Sequence, residues 1–388
     1  MENETSTRAI PPPIPVLILI TDLTTGGAQR ALLRFLSNVS SDQYRFTVVT
    51  LLDGDGRFAE EIAALGIGVI DLNMNPKWRL DRLFALIQII RQHRPLILHA
   101  WMIHANIIGR LIGRITGIPN VIISRRTDRL GSPLRVNVNR LLSGWSDRVI
   151  AVSDETRQIE LVETGLPLDR VVTVPNGIEM GQFQEIDAAA RQSIRDSLGI
   201  AKNEFLIGSV GRLVLAKGYP DLISAMKTVV ATNPNVKLII IGEGELRSQL
   251  EAQAAHLGLT EHISLPGRRS DIPQFMQALD LFVLSSHWEG MPNALLEAMA
   301  AGTPSIATSV SAAPEIIGED EFGLLVPSED PSKMAEAILL LRKDLQLRQA
   351  LGEAGRKRIE TNYTLEASVC RTLEVYAELL DEKDVKSV

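Results

Sequence analysis

Glu289 and Glu297 flank the run Gly290-Met291-Pro292-Asn293-Ala294-Leu295-Leu296. An ionised carboxylate only accepts hydrogen bonds, so two of them opening on one cavity suit the hydroxyls of a sugar. Farther up the chain, Arg212 and Lys217 follow Gly211 with a short loop between them. A guanidinium presents forked donors and an ammonium a compact charge, a combination able to clamp a diphosphate. The plainer account makes these four residues surface charges around ordinary turns. What stands around them argues for the chemical reading.

The apolar run Leu281-Phe282-Val283-Leu284 is short and bounded, as a buried strand is, and a helical run beyond Pro292 ends at Gly302. Pro292 suits the approach to that helix and Asn293 can serve as its N-cap. The free N–H groups of Asn293, Ala294 and Leu295 then point above the strand's carboxyl edge, a place fit for a phosphate. Glu289 lies in the loop, and Glu297 lies two turns into the helix. Arg212 and Lys217 leave the end of a second apolar strand, Phe205 to Val210. Near the start of the chain, Val16 to Ile20 leads through Gly26 and Gly27 into an amphipathic run. Two residues without side chains let a ligand approach the backbone, although a plain turn would use them too. Gly-x-Gly-x-x-Gly is absent there, so the turn is no dinucleotide fingerprint.

Apolar strands continue through Phe46–Leu51, Gly68–Leu72, Leu96–Ala100, Asn120–Ser124, Arg148–Ala151 and Val171–Val174, alternating with helical segments. Val236–Ile241, His262–Leu265, Ser305–Thr308 and Gly323–Val326 repeat the rhythm in the second half. Such alternation predicts an α/β chain with two doubly wound parallel sheets. The expected division is 16–178 for the first domain, 179–200 for a linker and connecting helix, and 201–361 for the second, after a disordered stretch over 1–15. A chain of 388 residues is long for one core, which agrees with two domains.

With 45% hydrophobic and 22% charged residues the chain reads as globular. A net charge of −7 and 4% aromatics speak against a nucleic-acid partner. Cys370 stands alone, so neither a disulfide framework nor a thiolate zinc site is available, and a reducing cytoplasm is the simplest compartment. The polar start and Pro11-Pro12-Pro13 do not resemble a signal peptide, and Ile14 to Ile20 is too short to span a bilayer. The expectation is a cytoplasmic protein, soluble or peripheral at the inner face of the membrane. Eight arginines (Arg110, Arg114, Arg125, Arg126, Arg129, Arg135, Arg140 and Arg148) meet only Asp128 and Asp147 between positions 110 and 148. Solvated helix faces explain most of them. A local basic field could also dock on anionic lipid or attract a phosphate-bearing acceptor.

Taken together, Glu289-x7-Glu297 followed by Ala-Gly-Thr-Pro, Gly211-Arg212-Leu213 with Lys217-Gly218, Gly26-Gly27-Ala28-x-Arg30, and Trp101-Met102-x-His104-Ala105-Asn106 resemble glycosyltransferase family 4. These are retaining enzymes whose two Rossmann-like domains face across a cleft, the GT-B fold. The resemblance runs from Val16 to about Leu380. It implies an acceptor-side first domain, a donor-binding second domain, and a last helix over 362–388 that crosses back onto the first. It implies transfer of a hexosyl or N-acetylhexosaminyl group from a nucleotide-diphosphate sugar, UDP- or GDP-linked, to an acceptor hydroxyl in polysaccharide or glycolipid synthesis. The acceptor would be a glycan, a lipid-linked glycan or a small molecule.

By the same resemblance, Arg212 and Lys217 hold the leaving diphosphate, Glu297 the donor ribose, and Glu289 with His104 the sugar hydroxyls. Gly290, Met291, Asn293, Ala294 and Leu295 form the donor loop, Arg268 flanks the base, and Gly26 and Gly27 lie across the cleft from the phosphates. His104 is preferred as the sugar-contacting histidine, with His99 second. Asp53-Gly54-Asp55 spells the Asp-x-Asp triplet that glycosyltransferases of the other major fold use to hold a metal. Between a strand and a helix, however, Asp and Gly are ordinary turn residues, so no metal and no cofactor is expected. A nucleotide-sugar epimerase and a silent nucleotide-binding subunit are the alternatives on this architecture. The missing glycine fingerprint makes a nicotinamide oxidoreductase the weakest.

Overall fold

The computed structural model describes residues 13–24, 26–54, 56–74, 79–184 and 186–386. Asp55 of the Asp-x-Asp triplet and most of the stretch expected to be disordered lie outside the described residues. At 14–15 that expectation is corrected. Ile14 and Pro15 pair with Tyr44 and Arg45 in the sheet, and the Pro15 carbonyl accepts the Leu96 amide at 2.9 Å. A proline near a strand's start lacks only its donor and can still accept.

Two parallel sheets organise the chain. The first contains β1 (Ile14–Asp22), β2 (Tyr44–Asp53), β3 (Gly68–Asp71), β4 (Ile97–Trp101), β5 (Asn120–Arg125), β6 (Arg148–Ala151) and β7 (Val171–Thr173), in the order β3-β2-β1-β4-β5-β6-β7. The second contains β8 (Phe205–Val210), β9 (Val236–Ile241), β10 (Ile263–Gly267), β11 (Leu281–Leu284), β12 (Ser305–Thr308) and β13 (Leu324–Val326), in the order β10-β9-β8-β11-β12-β13. The central strands are continuous apolar runs because helices cover both faces of each sheet. Leu17, Ile18, Leu19 and Ile20 are fully buried, as are Leu206, Ile207, Leu281, Phe282 and Val283.

The order of each sheet reverses once, between β1 and β4 in the first and between β8 and β11 in the second. At such a reversal the loops leaving the carboxyl ends diverge and open a crevice, where ligands of open α/β sheets bind. This is the GT-B architecture: two α/β domains, each with its crevice at the sheet's point of reversal.

The chain crosses between domains twice, and the crossings are joined. The Ile178 amide donates to Tyr363 O at 2.8 Å, and the Leu365 amide to Ile178 O at 2.9 Å. Gly177 permits this contact, since a Cβ there would stand 2.4 Å from Leu365 Cα. Beyond the second crossing, the helix Leu365–Lys386 packs Val369, Val375, Tyr376 and Leu379 into the core formed by Val16, Phe35 and Phe46 of the first domain.

Candidate active site

The loops after β8 and β11 are fused into one platform. The His287 amide donates to Ala216 O at 2.8 Å, the Ser285 hydroxyl to Lys217 O at 2.8 Å, and His287 Nε2 lies 2.7 Å from Asp221 Oδ2. Gly218 joins them with φ +57°, and a Cβ there would come within 2.0 Å of the Ser285 carbonyl. On this platform Lys217 Nζ meets Glu289 Oε1 at 2.5 Å, and the Ser286 hydroxyl donates to the same oxygen at 2.6 Å. Ser311 brackets the backbone of Glu289: its Oγ accepts the Glu289 amide at 2.9 Å and donates to the Glu289 carbonyl at 3.1 Å. Ser311 has φ +52°, a strained conformation for a residue with a side chain, and these two bonds help hold it. Arg212 is exposed at the platform's edge, its guanidinium without an ion-pair partner among the described residues.

The first domain closes over this platform. The Asn176 side-chain amide donates to Asn293 Oδ1 at 2.7 Å, and the Asn176 backbone amide reaches Met291 Sδ at 3.3 Å. Arg126 hydrogen-bonds Asn176 Oδ1, and Arg129 stacks on the Trp288 ring, 4.7 Å from its centroid. A Cβ on Gly27 would stand 3.0 Å from Asn293 Nδ2, and one on Gly290 would stand 2.2 Å from the Arg126 carbonyl oxygen. Glu297, with its side chain 4% exposed, takes Arg34 at 2.9 Å and Arg30 at 3.4 Å, both on Oε1. Neither of these two contacts uses Oε2.

Three expectations at the helix start are corrected. The helix runs Asn293–Ala300 with Pro292 in the cap position, so Asn293 is its first residue and not its N-cap. The reason is that the Pro292 carbonyl already accepts Leu295 and Leu296, at 3.0 and 3.3 Å, while the Asn293 side chain is spent on Asn176. The Leu295 amide is therefore taken, and the first-turn donors left for a phosphate are those of Asn293 and Ala294. Glu297 lies one turn into the helix, not two. Met291 is buried in the core of the second domain, which leaves only its backbone near the loop surface.

In the first domain, Met102 bridges β4 and the helix Ile103–Thr116 with φ +74°, a costly conformation at the crevice edge. It places His104, half-buried, in the helix's first turn. His99 is fully buried, with Nδ1 2.7 Å from the Tyr376 hydroxyl and Nε2 2.8 Å from Ser124 Oγ. Burial, with Arg126 nearby, holds its imidazole down at about 3. The second-choice histidine is thus a neutral clasp for the C-terminal helix, with both ring nitrogens engaged.

The reading of the arginine belt is corrected for its buried members. Arg110 and Arg125 are buried around Glu160, Arg148 pairs with Glu382, and Arg126 and Arg129 face the cleft. Buried arginines persist where a carboxylate far along the chain meets them, so Arg110, Arg125 and Arg148 are structural, while Arg114, Arg129 and Arg140 are exposed. Burial raises the Asp128 carboxyl above its ordinary value, against the pull of the Ser311 and Thr156 hydroxyls. Arg268 is exposed. Its neighbour Arg269 lines a cavity of about 330 Å³ between the domains, shared with Ser270, Arg30, Arg34 and Glu297.

Sequence reasoning missed Ser286, Ser311, Asn176 and Arg34. Ser286 and Asn176 stand beside recognised motifs and could have been marked from that adjacency. Nothing local distinguishes Arg34 or Ser311, whose roles arise from contacts across the fold.

Comparison with known proteins places the chain in a family. Residues 25–182 match the profile described as Glycosyltransferase Family 4, and residues 190–358 the one described as Glycosyl transferases group 1. The chain is 24% identical over 371 residues to the UDP-Gal:alpha-D-GlcNAc-diphosphoundecaprenol alpha-1,3-galactosyltransferase of Escherichia coli, covering 92% of this chain and 95% of that protein. It is 28% identical to the capsular polysaccharide biosynthesis glycosyltransferase CapM of Staphylococcus aureus, over 79% of this chain and 83% of that one. Among solved structures, Anabaena HepE in complex with UDP and glucose superposes with a TM-score of 0.83 at 22% identity, covering 94% of this chain and all of that one.

Proposed function

We propose, from the premise that the chain belongs to glycosyltransferase family 4, that it is a retaining, metal-independent enzyme moving a sugar from a UDP- or GDP-linked donor to a glycan or lipid-linked acceptor. The observation that carries this reading is the Lys217–Glu289 pair on the fused platform, set beside Arg212 and beneath the closing first domain. The relatives that act in polysaccharide synthesis, and the UDP held by the Anabaena protein, support the donor and acceptor classes.

Breaking the anomeric C–O bond builds positive charge on the ring and negative charge on the departing diphosphate. Arg212, Lys217 and the amides of Asn293 and Ala294 would absorb that negative charge in a cleft largely shielded from water. Glu289 and His104 would hold the sugar hydroxyls, and Glu297 Oε2 the ribose. The acceptor oxygen attacks from the face the diphosphate leaves. Its proton passes to a phosphate oxygen of the leaving group, and the new C–O bond keeps the donor's configuration. Two cations would supply the charge that a divalent ion would otherwise bring.

Thermal melting against a panel of UDP- and GDP-sugars tests the donor class: one of them should raise the melting point by about a few degrees at saturating concentration. With that donor and an undecaprenyl-diphosphate-linked acceptor, the product should keep the donor's anomeric configuration, and its yield should be unchanged by EDTA. An inverted product, or activity abolished by EDTA, would refute the mechanism. Donor turnover without acceptor would identify an epimerase.

No described helix is long and apolar enough to cross a membrane. Peripheral contact with the membrane carrying a lipid-linked acceptor would fall on one face of the first domain, where Leu80, Phe84, Ile115, Leu134, Leu141 and Trp145 are exposed. Arg114 and Arg140 are exposed on the same helices. The protein should sediment with anionic vesicles, and Leu134→Ser with Leu141→Ser should reduce the bound fraction several-fold. Equal sedimentation of the double variant would remove that face from consideration.

A further inference from the structure

A cavity of about 670 Å³ opens at the opposite edge of the second sheet from the donor platform, where β8 begins at Phe205 and Asp280 precedes β11. Its walls come from the helices Ala188–Ser197, Pro331–Lys343 and Leu345–Asn362. The volume lies within the range of small-molecule sites.

The charges in this cavity do not balance. Asp280 is already committed: Arg191 and Arg195 meet it at 2.8 and 3.0 Å, and the Leu206 amide donates to it at 2.8 Å. Burial alone would raise the Asp280 carboxyl, yet the Leu206 amide and Arg191 outweigh it and hold it low. Glu204 is committed as well, accepting the Ala201 amide at 2.7 Å and facing Lys237 at 3.5 Å. Lys202, Arg342 and Arg348 therefore line the cavity with no carboxylate within ion-pair distance among the described residues.

Two of these cations are held in place, and one has an unfilled donor. Arg342 and Arg348 both lie over the Phe205 ring, 5.8 and 5.0 Å from its centroid. Arg348 is fixed by the carbonyls of Leu341 at 2.9 Å and Arg342 at 3.3 Å. The Nε of Arg342 is buried without a hydrogen-bond partner. Burial, with Arg191 and Arg342 close by, pulls the Arg348 guanidinium below its ordinary value, although Asp280 pulls the other way. Gathering cations in a concavity of a protein with net charge −7 costs energy that a bound anion would recover.

We propose that this cavity is a second ligand site, distinct from the donor cleft, that takes a multiply charged phosphate compound such as inorganic pyrophosphate or the polyphosphate of a nucleotide. Its place in the chain gives such a ligand leverage on the domain crossings. The helix Ala188–Ser197 follows the crossing at Ile178, and the helix Leu345–Asn362 runs directly into the crossing at Tyr363. An anion bridging Lys202, Arg342 and Arg348 would tie the loop that follows the first of these helices to the start of the second.

Calorimetric titration of the full chain with inorganic pyrophosphate tests the assignment, because the donor cleft and the cavity are separated by different variants. Wild type should show two classes of site. Arg342→Gln with Arg348→Gln should weaken one class by about 10-fold or more while leaving UDP binding unchanged. Lys217→Ala should weaken only the other. Should the double variant fold poorly, Lys202→Ala serves in its place, since that exposed side chain makes no hydrogen bond or ion pair among the described residues. A nucleoside triphosphate whose base the donor cleft rejects then separates the two sources: tighter binding than pyrophosphate points to a nucleotide, equal binding to the phosphate alone. A single class of site in wild type, or two classes unaffected by the cavity variants, would overturn the proposal.

Discussion

Replacing Lys217 by Ala is expected to lower kcat/KM by about 10²- to 10³-fold, the usual loss when a fixed donor to developing negative charge is removed. The melting point should move little. Among the described residues the Lys217 ammonium has Glu289 as its one polar partner, while its backbone is held independently through Val214 O and the Ser285 hydroxyl. Removing the ammonium leaves the platform joined and Glu289 still bonded to Ser286. The pair is mostly shielded, its side chains 19% and 11% exposed, and the cost of losing it is limited by the Ser286 hydroxyl that still bonds Glu289. Circular dichroism melting beside steady-state kinetics distinguishes the cases. Losses of the same size in stability and turnover would make Lys217 a structural residue and leave the diphosphate without its compact charge.

Gly290→Ala should also lower kcat/KM by about 100-fold or more, by a different route. The added methyl would come within 2.2 Å of the Arg126 carbonyl oxygen and 3.2 Å of Thr127 Cα, both in the opposite domain. Neither is the yielding end of a side chain, so relief requires the domains to move apart. That motion pulls Asn176 from Asn293 and Arg34 from Glu297 and disorganises the cleft; a displacement of about 1 Å can cost 10²-fold in rate. Each domain keeps its own core, so the melting transition should survive. Small-angle scattering should show a larger radius of gyration. Gly144→Ala, placed where an added methyl meets nothing within 4 Å, is the control and should be neutral. Unchanged kinetics in Gly290→Ala would mean that the closed cleft is not the working arrangement.

What could be read from the chain follows the range over which each feature is determined. β1, β8 and β11 were visible because a strand buried on both faces is a short apolar run, and the loops after β8 and β11 carry their functional residues within a few positions of the strand. The pairing of Lys217 with Glu289 is less local, yet both lie on loops that the sheet order makes neighbours. The misreadings concern partners far apart in sequence. His99 looked like a ligand residue because nothing nearby reveals Tyr376, which reaches it from the last helix. Arg125, at the end of β5, looked like part of a surface field because Glu160, which meets it, belongs to the later helix Asp154–Thr164. The N-cap at Asn293 failed for the same reason: Asn176, from the other domain, claims the side chain that a cap would have used.

The cation clamp on the leaving diphosphate is tested most directly by a crystal structure of the protein with its nucleoside diphosphate bound. The terminal phosphate should lie within about 3 Å of both Arg212 and Lys217, with the amides of Asn293 and Ala294 directed at the diphosphate. A diphosphate coordinated by a metal ion, with Lys217 still turned to Glu289 and Arg212 in solvent, would contradict it.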